Sequence, residues 1–163
     1  MFAVIAAVSL VLLQSGNKSG SPPDRAQPVR LAAAPDANRL AQQGWALWQK
    51  GRHADAAAKF AQAVEVNPQL ANAWNGLGWA RFNGGDPDKA AEAFGKVIEF
   101  EPKHPAALNG LGQVHYLKND FPQAEKYLLE AAPSSSAAWL TLAKMYLLQG
   151  KWTEAAQYAQ KLI

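Results

Sequence analysis

Gly44, Gly78 and Gly112 stand 34 residues apart, and three other columns keep the same step: Ala56, Ala90 and Ala124; Phe60, Phe94 and Leu128; Pro68 and Pro102. A fixed period of this length constrains a chain more than any local pattern. Each period is one supersecondary unit whose apolar face is buried only by stacking on its neighbours. A fourth copy returns after a step of 31, matching Leu108 to Trp139, Leu111 to Leu142, Gly112 to Ala143 and Ala124 to Ala155, so three residues are missing near Pro133. Composition then decides what the units are made of. The chain has 33 alanines, and from Asp36 onward only eight residues are Val, Ile or Thr, too few for a sheet. The fold class is therefore all-α.

The repeating residues resemble the tetratricopeptide repeat, with its pattern W-x₂-L-G-x₂-Y, then A-x₃-F, then P. Trp74, Leu77 and Gly78 open the second copy, Ala90 and Phe94 continue it, and Pro102 closes it. Leu108, Leu111, Gly112, Ala124 and Leu128 repeat the series. Gln43 replaces the leucine in copy one, Arg81 and His115 stand where an aromatic is usual, and the fourth copy has no closing proline. The resemblance covers about four fifths of the chain. It implies a right-handed superhelix, an α-solenoid of four helix-turn-helix repeats at 37–70, 71–104, 105–135 and 136–163. Helices are expected near 37–49, 53–66, 71–83, 87–100, 105–118, 121–132, 136–149 and 152–162.

Physical chemistry supports that register independently. Gly44, Gly78, Gly112 and Ala143 let the first helix of each copy approach its partner, and Ala56, Ala90, Ala124 and Ala155 do the same from the second. Gly51, Gly85, Asn119 and Gly150 fall between helices and are residue types that accept a left-handed backbone. Asp86-Pro87 reads as an N-cap followed by a first-turn proline, and Ser134-Ser135-Ser136 as a cap for the helix beginning near Ala137.

Before this domain, which we place at 36–163, lie two segments of different character. Residues 1–13 carry an uninterrupted apolar run from Phe2 to Leu13 apart from Ser9. As a helix the run reaches roughly 18 Å, less than a bilayer core of about 30 Å, so it reads as a truncated membrane anchor or a signal segment. Residues 14–35, with Pro22, Pro23, Pro28 and Pro35 among serines and glycines, read as a linker. The net charge of +3 is mostly theirs: residues 36–163 hold 13 basic and 12 acidic side chains. A near-neutral body argues against a nucleic-acid partner, because phosphate-backbone binding needs clustered cations. The absence of cysteine excludes disulfides, thiolate metal sites and cysteine nucleophiles.

No constellation for catalysis emerges, so no enzyme, metal or cofactor is expected. His53, His104 and His115 fall at a helix start, a connection and a helix interior, with no carboxylate at ligand spacing from any pair of them, and His115 reads as a partly buried packing residue. What remains is the inner wall that the family's first helices make. Residues at i, i+3, i+7 and i+10 share a helix face. That face holds Asn38, Ala41, Trp45 and Trp48 in copy one, then Asn72, Asn75, Trp79 and Phe82 with Asn83 beside it. Copy three presents Ala106, Asn109, Gln113 and Tyr116, and copy four Leu140, Lys144 and Leu147. Carboxamides alternate with aromatics, and Lys144 is the one cation able to meet an acidic C-terminal peptide of the kind some members of the family clamp. Two readings stay open for several of these residues. Trp48, Phe82 and Tyr116 read also as inner core, and Asn75 and Asn109 also as local caps or inter-helix bonds.

The expected function is a protein–protein interaction scaffold or adaptor that takes a peptide or helix in the concave groove. The apolar run suggests membrane association, at a bacterial inner membrane given the alanine-rich composition, with the side of the membrane undecided. An alternative is the accessory region of a larger membrane enzyme or sensor whose catalytic part precedes Met1. Trp139, Leu142, Tyr146, Ala155, Ala156 and Ala159 are expected to form an apolar face that either meets a continuing chain or drives self-association through the C-terminal repeat.

Overall fold

The computed structural model describes residues 36–163; the apolar run at 2–13 and the linker at 14–35 lie outside them. Eight α-helices follow one another among the described residues: α1 (Ala37–Gln49), α2 (His53–Val66), α3 (Ala71–Asn83), α4 (Pro87–Phe100), α5 (Pro105–Leu117), α6 (Phe121–Ala131), α7 (Ser136–Leu148) and α8 (Trp152–Gln160), with a 3₁₀ turn at Ala132–Ser134. They pair as α1–α2, α3–α4, α5–α6 and α7–α8, and each pair packs on the next. The odd-numbered helices also touch in series, α1 on α3, α3 on α5 and α5 on α7. Four helix-turn-helix repeats thus stack as a right-handed solenoid whose inner wall is built by the odd helices.

The punctuation follows the chemistry of the turns. Gly51, Gly85 and Gly150 have φ of 73°, 85° and 70°, and Asn119 takes the same left-handed region at 58°. Asp86 accepts from the Lys89 N–H ahead of Pro87, so α4 starts on a carboxylate cap and a proline that needs no donor. The serine run departs from expectation. Ser135 occupies the N-cap of α7 but its side chain accepts no capping hydrogen bond, and the helix begins at Ser136.

Packing explains the glycine column and reveals a second one. Phe60 of α2 is fully buried, and a Cβ at Gly44 would stand 2.7 Å from its ring while one at Gly76 would stand 2.3 Å away. Phe94 repeats this between Gly78 and Gly110, at 2.5 Å from each. Each aromatic of a second helix is therefore wedged between a glycine of its own repeat and a glycine of the next, which locks neighbouring repeats together. Each burial contributes about 1.5–3 kcal/mol. In the next copy Leu128 replaces the phenylalanine, and Thr141 stands where Gly76 and Gly110 stand earlier. The smaller wedge goes with the larger residue.

The missing three residues come out of a helix and not a loop: α2 and α4 have 14 residues and α6 has 11, while the 3₁₀ turn and Ser135 bridge to α7. The last repeat also corrects an expectation. Leu142, Tyr146 and Ala155 are buried and Trp139 is half-buried, so these residues form core and leave only Ala156 and Ala159 of the expected face exposed. The large apolar groups that do meet solvent in this repeat are other ones: Leu140, Leu147, Leu148, Trp152, Leu162 and Ile163. Among the described residues no helix is long and apolar enough to cross a membrane.

Candidate functional site

The inner wall holds a cavity of about 400 Å³, within the usual range for binding clefts of roughly 300–1,000 Å³. Nine of its ten lining residues are ones expected on or beside the wall, and seven of them are the large or polar candidates Trp45, Trp48, Asn75, Trp79, Phe82, Asn109 and Gln113. Asn83, Ala106 and Ala137 complete the lining. Ala137 was not among the expected residues, although it continues the column of Asn72 and Ala106. Among the described residues no charged side chain lines the cavity.

The aromatic walls repeat with the period. Trp45 meets Trp48 edge to face at 5.8 Å between ring centroids, and 34 residues later Trp79 meets Phe82 at 5.8 Å. Each indole also rests its inner edge on the wedge beneath it, Trp45 on Phe60 and Trp79 on Phe94, both at 5.1 Å. These four rings therefore belong to core and wall at once: one side is packed and the other faces the cavity. Such T-shaped pairs hold the rings rigid and add about 0.5–1.5 kcal/mol beyond burial.

Between them sit the two asparagines. Asn75 and Asn109 are 7% and 3% exposed, and the Oδ1 of each is buried without a hydrogen-bond partner. Neither oxygen makes the cap or inter-helix bond that was its alternative role. An orphaned buried acceptor costs about 1–3 kcal/mol. The indole Nε1 of Trp48 is likewise buried and unpaired. One unpaired donor and two unpaired acceptors thus border a single uncharged recess.

Four expected site residues lie outside the lining. Asn72 is exposed and accepts from Trp45 Nε1 at 3.1 Å, so it orients the ring of the preceding repeat. Asn38 is exposed near the start of α1, where its backbone N–H donates to the Asp36 cap. Tyr116 packs against Phe121 at 6.3 Å, on the core of the last two repeats. Lys144 is exposed on α7 and makes no ion pair among the described residues.

Two of the histidines have polar partners, while the Nδ1 of His53 is buried and has none among the described residues. His104 Nδ1 accepts from the Ala107 N–H and caps α5, His115 pairs with Asp120 at 3.0 Å and stacks on Tyr127, and His53 lies edge-on to Trp48. Among the described residues no three His, Asp or Glu side chains gather as a metal set would.

Comparison with known proteins agrees with this architecture. The family model for the tetratricopeptide repeat matches residues 41–101, 80–136 and 126–163. Among solved structures the chain is similar to PilF of Pseudomonas aeruginosa, with a TM-score of 0.66 and 19% identity over 78% of this chain and 60% of that one. It is similar also to MamA, with a TM-score of 0.68 and 22% identity over 77% of this chain and 75% of that one. The chain spans about three fifths of the PilF length, and at these identities the likeness is one of fold. No curated protein matches it.

Proposed function

The chain belongs to the tetratricopeptide repeat family, and from that premise we propose that it is a protein-interaction scaffold whose inner groove holds an uncharged, extended segment of a partner polypeptide. The observation that carries this reading is the pair of buried, unpartnered Oδ1 atoms on Asn75 and Asn109 in the wall of one cavity. A peptide backbone supplies N–H donors at intervals, and it supplies carbonyls for the donor on Trp48. Trp45 and Trp79 offer rigid apolar area to the side chains between. Because the lining carries no charge, a strongly acidic or basic segment would lose hydration there without compensation. The apolar sequence at residues 2–13 supports holding such a scaffold at a membrane, which protease protection of the body in intact cells tests.

The groove reading is tested by selecting peptides from a random display library on the full chain and measuring their affinity for Trp45→Ala with Trp79→Ala. Loss of about 2 kcal/mol per anchor is expected. Since each ring also packs on a buried phenylalanine, the double variant melts lower but keeps its helical circular dichroism. Unchanged affinity in a folded double variant would remove the groove from the reading.

A further inference from the structure

A second cavity, of about 370 Å³, opens in the last two repeats at the point where α6 lacks its final turn. Leu129, Ala132 and Pro133 line one side and Trp139, Tyr158 and Lys161 the other. Its chemistry differs from that of the groove, since a cation of the chain itself sits against it. Lys161 Nζ lies 6.0 Å from the centroid of Trp139 and 4.9 Å from that of Tyr158. Tyr158 stacks in turn on Tyr146 at 5.8 Å, and a second ammonium, that of Lys151, lies 5.4 Å from the Tyr146 ring. Close cation–π contacts occur about once per 70–80 residues, so two lysines over the rings of one helix pair, Lys161 over two of them, is a concentration.

Behind the Tyr158 ring, outside the lining, Tyr146 is itself anchored. The Tyr146 hydroxyl donates to Glu125 Oε1 at 2.7 Å. Burial first, then this hydrogen bond and the charges of Glu125 and Glu154, raise the pKa of the Tyr146 phenol above its ordinary value. Two ring faces, Trp139 and Tyr158, and an apolar recess between α6 and α8 make a receptor for a positive group with an alkyl stem, with Glu125 outside the lining and hydrogen-bonded to Tyr146.

We propose that this pocket is a second binding site, which accepts a lysine or arginine side chain from a partner polypeptide, and that Lys161 is the stand-in that covers it in the free chain. The shape follows from the fold: α6 stops three residues short of its counterparts, and the vacated turn is where the incoming stem lies. Lys161 is a weak occupant. An exposed ammonium over a ring is weakly held, and a guanidinium, planar and less hydrated, stacks on the indole better and displaces it.

Indole N–H resonances of the full chain test this, because its six tryptophans give six signals and Trp139→Phe identifies one. The probes are N-acetyl-argininamide and its uncharged isostere N-acetyl-citrullinamide, each added to the wild-type chain and to Lys161→Ala. The arginine probe is expected to shift the Trp139 signal in both proteins, to saturate several-fold earlier in Lys161→Ala, and to leave Trp45 and Trp79 unmoved. An equal response to the citrulline probe would show an apolar recess with no preference for charge, and no response at Trp139 from a folded Lys161→Ala would show that nothing binds. Either result overturns the proposal, and neither bears on the groove.

Discussion

Asn75 and Asn109 carry the functional reading, and their burial gives them an unusual relation between stability and binding. A buried asparagine in a satisfied network destabilises the fold when removed. Here the Oδ1 atoms have no partner, so Asn75→Ala with Asn109→Ala removes two orphaned acceptors and replaces two poor helix formers with the best one. Chemical denaturation should show the double variant as stable as the wild type or about 1–2 kcal/mol more so, while affinity for a selected peptide falls. A large loss of stability would mean that the two amides hold the helices together instead. The glycines make the opposite case. Gly78→Leu drives a side chain into Phe94, where even a Cβ would be 2.5 Å from the ring, whereas a Cβ at Gly84 comes no nearer than 3.0 Å to the Ala80 carbonyl, with Arg81 O at 3.5 Å and the His53 Cβ at 4.0 Å. Urea midpoints should therefore fall far more for Gly78→Leu, by at least the 1–3 kcal/mol typical of overpacking, than for Gly84→Ala.

Helix identities could be read from the chain because the period, the caps and the left-handed residues all agree. The boundaries of α1 to α4 fall where the sequence places them, and α5 to α8 each end one or two residues early. What the sequence did not reveal has physical reasons. The step of 31 shows that three residues are missing, but only packing shows that they leave α6 and keep the connection intact. Gly76 and Gly110 repeat as regularly as Gly78 and Gly112, yet their role depends on Phe60 and Phe94 reaching across a repeat boundary, which a single-repeat view does not contain. Helix starts give a pH prediction. The pKa of Asp86 is lowered, first by the hydrogen bond from the Lys89 side chain and then by that from its backbone N–H. A folded-state value below the unfolded one stabilises the fold above the ordinary aspartate range, and that contribution fades as pH falls through the lowered value. Melting temperatures at acidic pH should accordingly decline less steeply in Asp86→Asn, which keeps an N-cap without the charge. Parallel slopes for the two proteins would remove this cap from the acid sensitivity of the chain.

Across the whole domain, stacking turns a column in the sequence into a surface. Trp45, Trp79 and Gln113 meet at one cavity because the odd helices pack in series, and no single repeat has that wall. The sequence marked nine of the ten lining residues as on or beside the wall, all but Ala137, since the helical spacing and the period are both regular. It did not show that the Asn75 and Asn109 oxygens lack partners, which depends on the three-dimensional surroundings of each amide. It also could not show that Trp45 and Trp79 are half core. Affinity for a neutral extended segment, with little response to ionic strength, is what such a wall should give.

Solving the full chain in complex with a library-selected peptide decides whether that wall is the binding surface. The account predicts an extended peptide along the odd helices, with backbone N–H groups within hydrogen-bonding distance, about 2.7–3.2 Å, of Oδ1 on both Asn75 and Asn109. A peptide seated on the even helices, or one in the groove that leaves both oxygens unpaired, would contradict it.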